Sequence, residues 1–497
     1  MEEVYLPEGA NLYPLPPALL ERIDLRKLAK YFGPGAIIAS VTIGSGELVW
    51  SSRSGAVFGY AMLWCFLYAG IIKGIQVYTG FRHLVLTGEH PLSAWRSMPG
   101  PRLWFPFLLV APALPIMLIS FSAISEMMGL FIHHLSGPGL EGAGWAAFAP
   151  GEASSNAWAS AVLIACYALA IRSSDLILER VSLAVLGGLI FCVAVSVISS
   201  SPSIADIVLG LFVPSVPDYQ PWIAADPQYS TTIAARSVWL EIALYLWAVG
   251  GGTQDYIGYL SMARDRAWGL AGRHAAGAEH LRAALGGVGE QSKRELQRAR
   301  AWLVAPLMDT ALSFSAVILV CVLFAVLGAQ LLHPRHAIPD GANLLDLQEQ
   351  FLTFLHPSLR WLYRLSVLLA LGGTLYGAYR VYSLTLLETL AVFLPGRITT
   401  ENRRRWEVAS YNWLLLGSLL LIWLPAKVSG DIVARLSFAT VIGGATSSGF
   451  WCLGILWLDR ARLPGPLRMK PFTRALVWTA GLVMLLLGAQ SIIAYFA

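Results

Sequence analysis

The stretch VWLEIALYLWAVGGGTQDYIGYLSM, residues 238–262, decides the fold of this chain. It is apolar enough to cross a membrane, but three glycines at 250–252 interrupt it near its middle, and the polar residues Thr253, Gln254 and Asp255 follow directly. Glycine is, after proline, the residue that favours a helix least. We therefore expect the membrane helix to unwind at this point.

A second interrupted stretch lies near the start of the chain. It reads FGPGAIIASVTIGSGELVWSS, residues 32–52, in which Gly44, Ser45, Gly46 and Glu47 follow an apolar half-helix. Lipid cannot satisfy unwound carbonyl and amide groups, so each break must line a cavity inside the protein. Interrupted spans at matching places in two halves are typical of secondary transporters built on an inverted repeat.

The composition places the whole chain in the membrane class. Of 497 residues, 56% are hydrophobic and 13% are charged, against roughly 25% charged in soluble domains. The net charge of +5 is small and dispersed, which excludes the clustered basic face of a nucleic-acid-binding protein. No H-E-x-x-H, G-x-S-x-G, P-loop or paired-cysteine motif indicates an enzyme. The expected partners are the lipid bilayer and a cargo, with no cofactor and no specified oligomeric state.

Eleven apolar stretches, each near the length of about 20 residues that a helix needs to cross hydrocarbon, divide the chain. They predict an all-α membrane protein with spans at 33–53, 56–82, 103–133, 156–171, 182–200, 237–262, 303–332, 361–393, 408–424, 431–458 and 474–496. Spans 1–5 (residues 33–212) and spans 6–10 (residues 237–458) form two predicted repeats. A cytoplasmic segment, 1–32, precedes them, and an additional span 11, 459–497, follows.

The basic residues orient these spans. With a cytoplasmic N-terminus, the cytoplasmic segments contain 26 Lys and Arg residues and the external segments contain five. The positive-inside rule therefore predicts a cytoplasmic N-terminus and an external C-terminus, in the plasma (inner) membrane. The basic loop 263–302 is expected to form a cytoplasmic amphipathic helix. It is either a linker that lies on anionic headgroups or a regulatory segment.

Three short motifs carry a resemblance to a known family: GPG at 33–35, SEMMG at 125–129 in span 3, and GLFVP at 210–214 after span 5. They resemble motifs of the Nramp family (natural resistance-associated macrophage proteins), which are proton-coupled transition-metal transporters. The resemblance runs from Gly33 to about Leu458. It implies a LeuT-like 5+5 inverted repeat with about eleven spans and with discontinuous helices 1 and 6.

The metal-binding motifs of that family are replaced in this chain. The family has Asp-Pro-Gly-Asn in span 1 where this chain has Gly-Ser-Gly-Glu at 44–47, and Met-Pro-His in span 6 where this chain has Thr-Gln-Asp at 253–255. Thioether and imidazole ligands favour softer transition metals, whereas oxygen ligands suit Mg²⁺ and Mn²⁺. Mg²⁺ in particular is usually bound through one or two carboxylates and water.

The sequence therefore predicts a cargo site between the two breaks, with Glu47 and Asp255 as the metal-binding carboxylates. The predicted lining consists of carbonyl groups freed at the breaks and of the following residues: Gly44, Ser45, Glu47, Gly250, Thr253, Gln254 and Asp255. The resemblance adds Thr440 of span 10 to this site and places Glu126 of span 3 on a proton or ion pathway. A second interpretation of each break carboxylate is a cap on the amides of its own half-helix, and a second interpretation of Glu126 is a buried packing residue.

These residues favour a secondary transporter that moves a hard divalent cation, Mg²⁺ or Mn²⁺, by alternating access. The main alternative is an ion-coupled carrier of a small organic solute, an amino acid or an amine, on the same fold. In that case flanking aromatic residues form a cage for an organic cation; they are Trp50, Tyr245, Trp247, Tyr256 and Tyr259. A non-transporting sensor or a membrane enzyme is the third alternative. Both H⁺ and Na⁺ are compatible with the sequence as the coupling ion.

Overall fold

The structure is a computed structural model. It describes residues 12–17, 46–136, 152–172, 176–272, 278–285, 289–340, 343–399, 401–424 and 432–496. Within these ranges the regular structure is helical, and the described residues contain no β-strand. The predicted all-α class is confirmed.

Six α-helices of seven or more residues are described in the first predicted repeat. They are α1 (Ser52–Phe58), α2 (Leu63–Thr87), α3 (Trp104–Ser136), α4 (Glu152–Arg172), α5 (Leu176–Ser199) and α6 (Ile204–Phe212). A π-helical turn, Gly46–Ser51, leads directly into α1. The chain after the predicted break of span 1 is therefore helical. After α5 the chain bends by 118° into α6.

Ten α-helices of eight or more residues follow in the remainder of the described chain. They are α7 (Val238–Ala248), α8 (Thr253–Asp265), α9 (Ala278–Leu285), α10 (Glu290–Trp302), α11 (Val304–Leu327), α12 (Arg360–Phe393), α13 (Arg403–Trp423), α14 (Ile432–Gly443), α15 (Ala445–Ala461) and α16 (Pro471–Phe496). Span 6 is broken between α7 and α8, as the sequence predicts. Span 10 is also divided, at Gly444, which the sequence did not predict.

Several helices are suited to a lipid bilayer. Among the described residues, five are long and apolar enough to cross it, and a sixth span results if the bent pair α5 and α6 counts as one. This criterion confirms an integral membrane protein but not the count of eleven spans. The predicted limits nevertheless agree closely with several observed helices, such as span 8 with α12.

Four ion pairs connect helices that are far apart in the sequence. They are Arg53 of α1 with Glu241 of α7, Arg82 of α2 with Asp459 of α15, Glu126 of α3 with Arg435 of α14, and Arg264 of α8 with Glu388 of α12. A charged side chain within a membrane is costly unless it has a partner. Each pair therefore favours one register of the two helices that it joins.

The loop 263–302, which the sequence analysis assigns to the cytoplasm, contains two short helices, α9 and α10, where the sequence predicts one. They pack against the N-terminal segment 12–17. The N–H of Tyr13 donates to Glu295 at 2.8 Å, and the Tyr13 hydroxyl donates to the carbonyl of Leu86 at 2.7 Å. The indole N–H of Trp302 donates to the carbonyl of Pro14 at 2.9 Å. The loop thus holds the N-terminal segment beside the end of α2.

Candidate functional site

The break in span 6 is produced by its glycines. Helix α7 ends at Ala248 and α8 begins at Thr253. Between them, Gly250 and Gly251 have φ angles of +70° and +71°. This left-handed region is strained for residues with a side chain but accessible to glycine. The sequence at 250–252 therefore accounts for the unwound segment.

Asp255 lies in the first turn of α8 and is buried. Its Oδ2 accepts the backbone N–H of Gly252 at 2.7 Å and the side-chain N–H of Gln254 at 2.9 Å. Tyr382 of α12 also interacts with this carboxyl group. Asp255 therefore caps its own half-helix, as the alternative interpretation predicts, and at the same time places a carboxylate at the break.

The two polar residues before Asp255 also face inward. The hydroxyl of Thr253 lies 3.1 Å from that of Ser447 in α15, so the break of span 6 contacts the divided span 10. The side-chain oxygen of Gln254 is buried and has no hydrogen-bond partner among the described residues. Buried acceptors are normally satisfied by protein, water or a bound ligand. This oxygen is therefore available to a ligand beside the Asp255 carboxylate.

Lys73 is the site residue that the sequence did not predict. It lies in α2, is buried, and its ammonium group donates to the carbonyls of Trp247, Val249 and Gly251 at 3.2, 2.8 and 2.6 Å. The carbonyls freed at this break, expected from the sequence to face a cation, thus face a lysine. A lone lysine in an apolar span was the available signal, because a charge within the membrane needs a partner.

The chain of span 1 reaches the same place. A Cβ atom on Gly46 would lie 2.4 Å from the carbonyl oxygen of Ala248, the last residue of α7. Only glycine permits this approach, so the backbones of the two interrupted spans are in contact. Gly44 and Ser45 lie outside the described residues. The backbone of Glu47 is in the π-helical turn, and its side chain lies outside the described part of the chain.

Substitution of Gly46 by alanine is expected to separate the two spans, because the added methyl group meets backbone rather than a movable side chain. Overpacking of this kind costs about 1 to 3 kcal/mol. Gly74→Ala in α2 is the matched control, since its Cβ would lie at an ordinary 3.6 Å from Phe314. Thermal unfolding of both variants measures the effect. Equal midpoints for the two would contradict the contact.

The two residues predicted by resemblance lie on neighbouring helices. Glu126 of α3 forms a bidentate ion pair with Arg435 of α14, and one of its two contacts measures 2.9 Å. An ion pair of this kind is compatible with both interpretations of Glu126. Thr440 of α14 is buried and donates to the carbonyl of Ser437 in its own helix at 2.9 Å.

A buried charge network connects α1 and α7 beyond the break. Arg53 donates to Glu241 at 2.8 and 3.1 Å and to Asp340 at 3.1 Å. The hydroxyl of Tyr245 donates to Glu241 at 2.7 Å. The second half of span 1 and the first half of span 6 are therefore joined, and they are expected to move together.

The second half of span 6, α8, is held by an ion pair to α12 and by a buried histidine. Glu388 of α12 accepts from Ser261 at 2.9 Å and forms an ion pair with Arg264 of α8. His90 donates from Nε2 to the carbonyl of Ile257 at 3.0 Å and accepts the N–H of Leu92 on Nδ1. Burial lowers the pKa of His90 to about 4, so this histidine is neutral near pH 7.

The described residues contain no group of three His, Cys, Asp or Glu side chains close enough to hold a metal ion. Within that part of the chain, the oxygen donors at the break are the Asp255 carboxylate, the Gln254 amide and the hydroxyls of Thr253 and Ser447. A cation bound there would therefore be held by few protein ligands and would retain water.

Comparison with known proteins gives the fold a context. No model of a known protein family matches the sequence, and no curated protein matches it. Among solved structures, a manganese transporter of Eremococcus coleocola is similar with a TM-score of 0.59 at 14% identity, covering 100% of this chain and 92% of that one. MhsT in complex with L-phenylalanine is similar with a TM-score of 0.52 at 14% identity, covering 93% and 98%. Both neighbours are LeuT-fold transporters, and the predicted LeuT-like fold is confirmed.

Proposed function

We propose that this protein is a secondary transporter that binds its cargo at the break between α7 and α8 and releases it by alternating access. The observation that carries the proposal is the buried Asp255 carboxylate at a glycine-built break, where span 1 contacts span 6. Discontinuous helices of this kind hold cargo in LeuT-type carriers, and the fold neighbours are transporters. We also propose a plasma-membrane location with the N-terminus in the cytoplasm.

The proposed cargo is a hard divalent cation, Mg²⁺ or Mn²⁺. The oxygen donors at the break support it, since carboxylate, amide and hydroxyl groups suit these ions. Mg²⁺ is usually bound by one or two carboxylates and keeps several waters, which fits a site built on Asp255 with Glu47 as the proposed second ligand. Gly44 and Ser45 of span 1, Gly250 and Thr440 stay proposed lining residues.

A small organic solute is the second candidate, and Lys73 is the observation that favours it. Its ammonium group donates to the carbonyl of Gly251, and the next residue, Gly252, donates its N–H to Asp255, so a positive charge and a carboxylate lie at the same break. A carboxylate beside an ammonium group complements a zwitterion as well as it complements a cation. An amino acid or an amine would then take the place of the metal ion.

Glu126 is the proposed coupling residue. Its carboxylate is paired with Arg435 across α3 and α14, and a proton that displaced this partner would change the contact between the two helices. Only an ion that binds the outward and inward states with different affinity can drive the cycle. We propose H⁺ as this ion, with Na⁺ as the alternative.

Uptake into proteoliposomes tests the proposal and separates the cargoes. The purified chain is expected to accumulate Mg²⁺ or Mn²⁺ above protein-free liposomes, and an inward proton gradient is expected to increase the rate. Labelled amino acids and amines are assayed in parallel, with a Na⁺ gradient in place of the proton gradient. Uptake of a solute without metal uptake would assign the second cargo, and uptake of neither would contradict the proposal.

A further inference from the structure

The carbonyl groups at the end of α7 converge on one cation that belongs to the protein itself. The carbonyls of Trp247, Val249 and Gly251 point at a common position, which the Nζ atom of Lys73 occupies at 2.6 to 3.2 Å. They come from alternate residues, Trp247 in the last turn of α7 and Val249 and Gly251 in the unwound segment that follows it. Such an arrangement of oxygen atoms is what a protein offers to a bare monovalent cation.

The C-terminus of α7 favours a cation at this position. The last carbonyl groups of a helix lack partners within the helix, and the C-terminus carries a partial negative charge. At the end of α7 these groups lie inside the protein, where an unsatisfied polar group is costly. An ammonium group has three N–H donors, so one lysine side chain can satisfy several of these carbonyls at once.

We propose that Lys73 is a resident cation of the span 6 break, which takes the place of a dissolved Na⁺ or K⁺ ion and keeps the break formed without one. It is thus a positioning residue, because it shapes the segment that carries Asp255 and adds a fixed positive charge beside that carboxylate. The inference concerns the same break as the proposed function but does not depend on the cargo or on transport.

The experiment measures whether the break needs a dissolved monovalent cation to stay folded. The wild-type chain should unfold at the same temperature in NaCl, KCl and N-methyl-D-glucamine chloride of equal ionic strength. Lys73→Ala removes the ammonium group and leaves space for a replacement. Its unfolding midpoint in N-methyl-D-glucamine should fall by at least several degrees.

Chemical rescue then distinguishes a missing cation from a merely smaller side chain. Propylammonium contains the atoms that Lys73→Ala removes, and it should restore part of the lost midpoint, as should Na⁺ or K⁺. Tetramethylammonium, which has no N–H group, should not. Lys293→Ala in α10 is the matched control, because the Lys293 side chain is 65% exposed. It should unfold like the wild type and should not respond to any of these ions.

Two results would overturn the proposal: a Lys73→Ala midpoint that equals the wild-type value, or a lowered midpoint that neither propylammonium nor Na⁺ nor K⁺ raises. If Lys73→Ala yields no folded protein, Lys73→Gln is measured in the same salts. A midpoint that depends on Na⁺ or K⁺ supports the proposal, and one that does not overturns it. Because unfolding requires no cargo, these results are separate from the outcome of the uptake assay.

Discussion

Asp255→Asn is expected to abolish most transport while leaving the fold intact. Asparagine can still accept the N–H of Gly252, which Asp255 accepts at 2.7 Å, because a neutral amide serves at this third helical position of a capping box as a carboxylate does. The substitution therefore removes the charge and keeps the cap. Interactions with a charged group contribute about 1.5 to 3 kcal/mol, which corresponds to a loss of roughly 10- to 150-fold in cargo affinity.

This variant also separates the two interpretations of Asp255. If the carboxylate only caps α8, the asparagine variant should transport like the wild type, whereas a cargo ligand predicts the large loss. Asp226→Asn is the matched control, since Asp226 is in an exposed loop and accepts the N–H of Gln228 at 2.8 Å. Initial uptake rates over a range of cargo concentrations, together with unfolding midpoints, provide the measurement. A wild-type rate for Asp255→Asn would remove this residue from the site.

The second large effect is expected on stability, at the pair of Arg53 and Glu241. Both side chains are at most 1% exposed. Among the described residues, Glu241→Ala therefore leaves the buried guanidinium with Asp340 and the carbonyl of Pro339 as its hydrogen-bond partners. Breaking a buried ion pair from one side costs about 3 to 5 kcal/mol. The free energy of unfolding should fall by that amount, because the positive charge stays in the protein interior.

Two further variants control for this effect. Glu241→Gln keeps the hydrogen-bonding atoms and removes only the charge, so it should fall between Glu241→Ala and the wild type. Glu290→Ala removes a carboxylate that is 75% exposed, and changes at such surface positions are usually within about 0.5 kcal/mol. If Glu241→Ala unfolds like Glu290→Ala, the buried network does not stabilise the joined halves of spans 1 and 6.

The break in span 6 could be predicted because its cause is local. Glycines at 250–252 weaken a helix wherever they occur, and an acid three residues later is a common cap, so the position of the break and the capping contact of Asp255 follow from sequence alone. The limits of long apolar helices such as α3 and α12 are predictable for the same reason. A run of apolar residues can be recognised as a span without knowing which helices pack against it.

The partners of buried charges could not be predicted, because they depend on which helices meet. The i, i+4 spacing of Asp431 and Arg435 predicts a pair within one helix, whereas the guanidinium of Arg435 lies on Glu126 of α3. Asp431 itself lies outside the described residues. Lys73 in its apolar span indicates that a partner exists but not which one, since only the assembled fold places α2 against the open end of α7.

We propose that the cargo binds where the two interrupted spans touch. A structure determined with the transported cargo bound, using the anomalous signal of Mn²⁺ if the cargo is a metal, shows where it binds. We expect density in contact with the Asp255 carboxylate, bordered by the segment from Gly250 and by the chain that follows Gly46. Density at any other position, with the break unoccupied at saturating cargo, would contradict it.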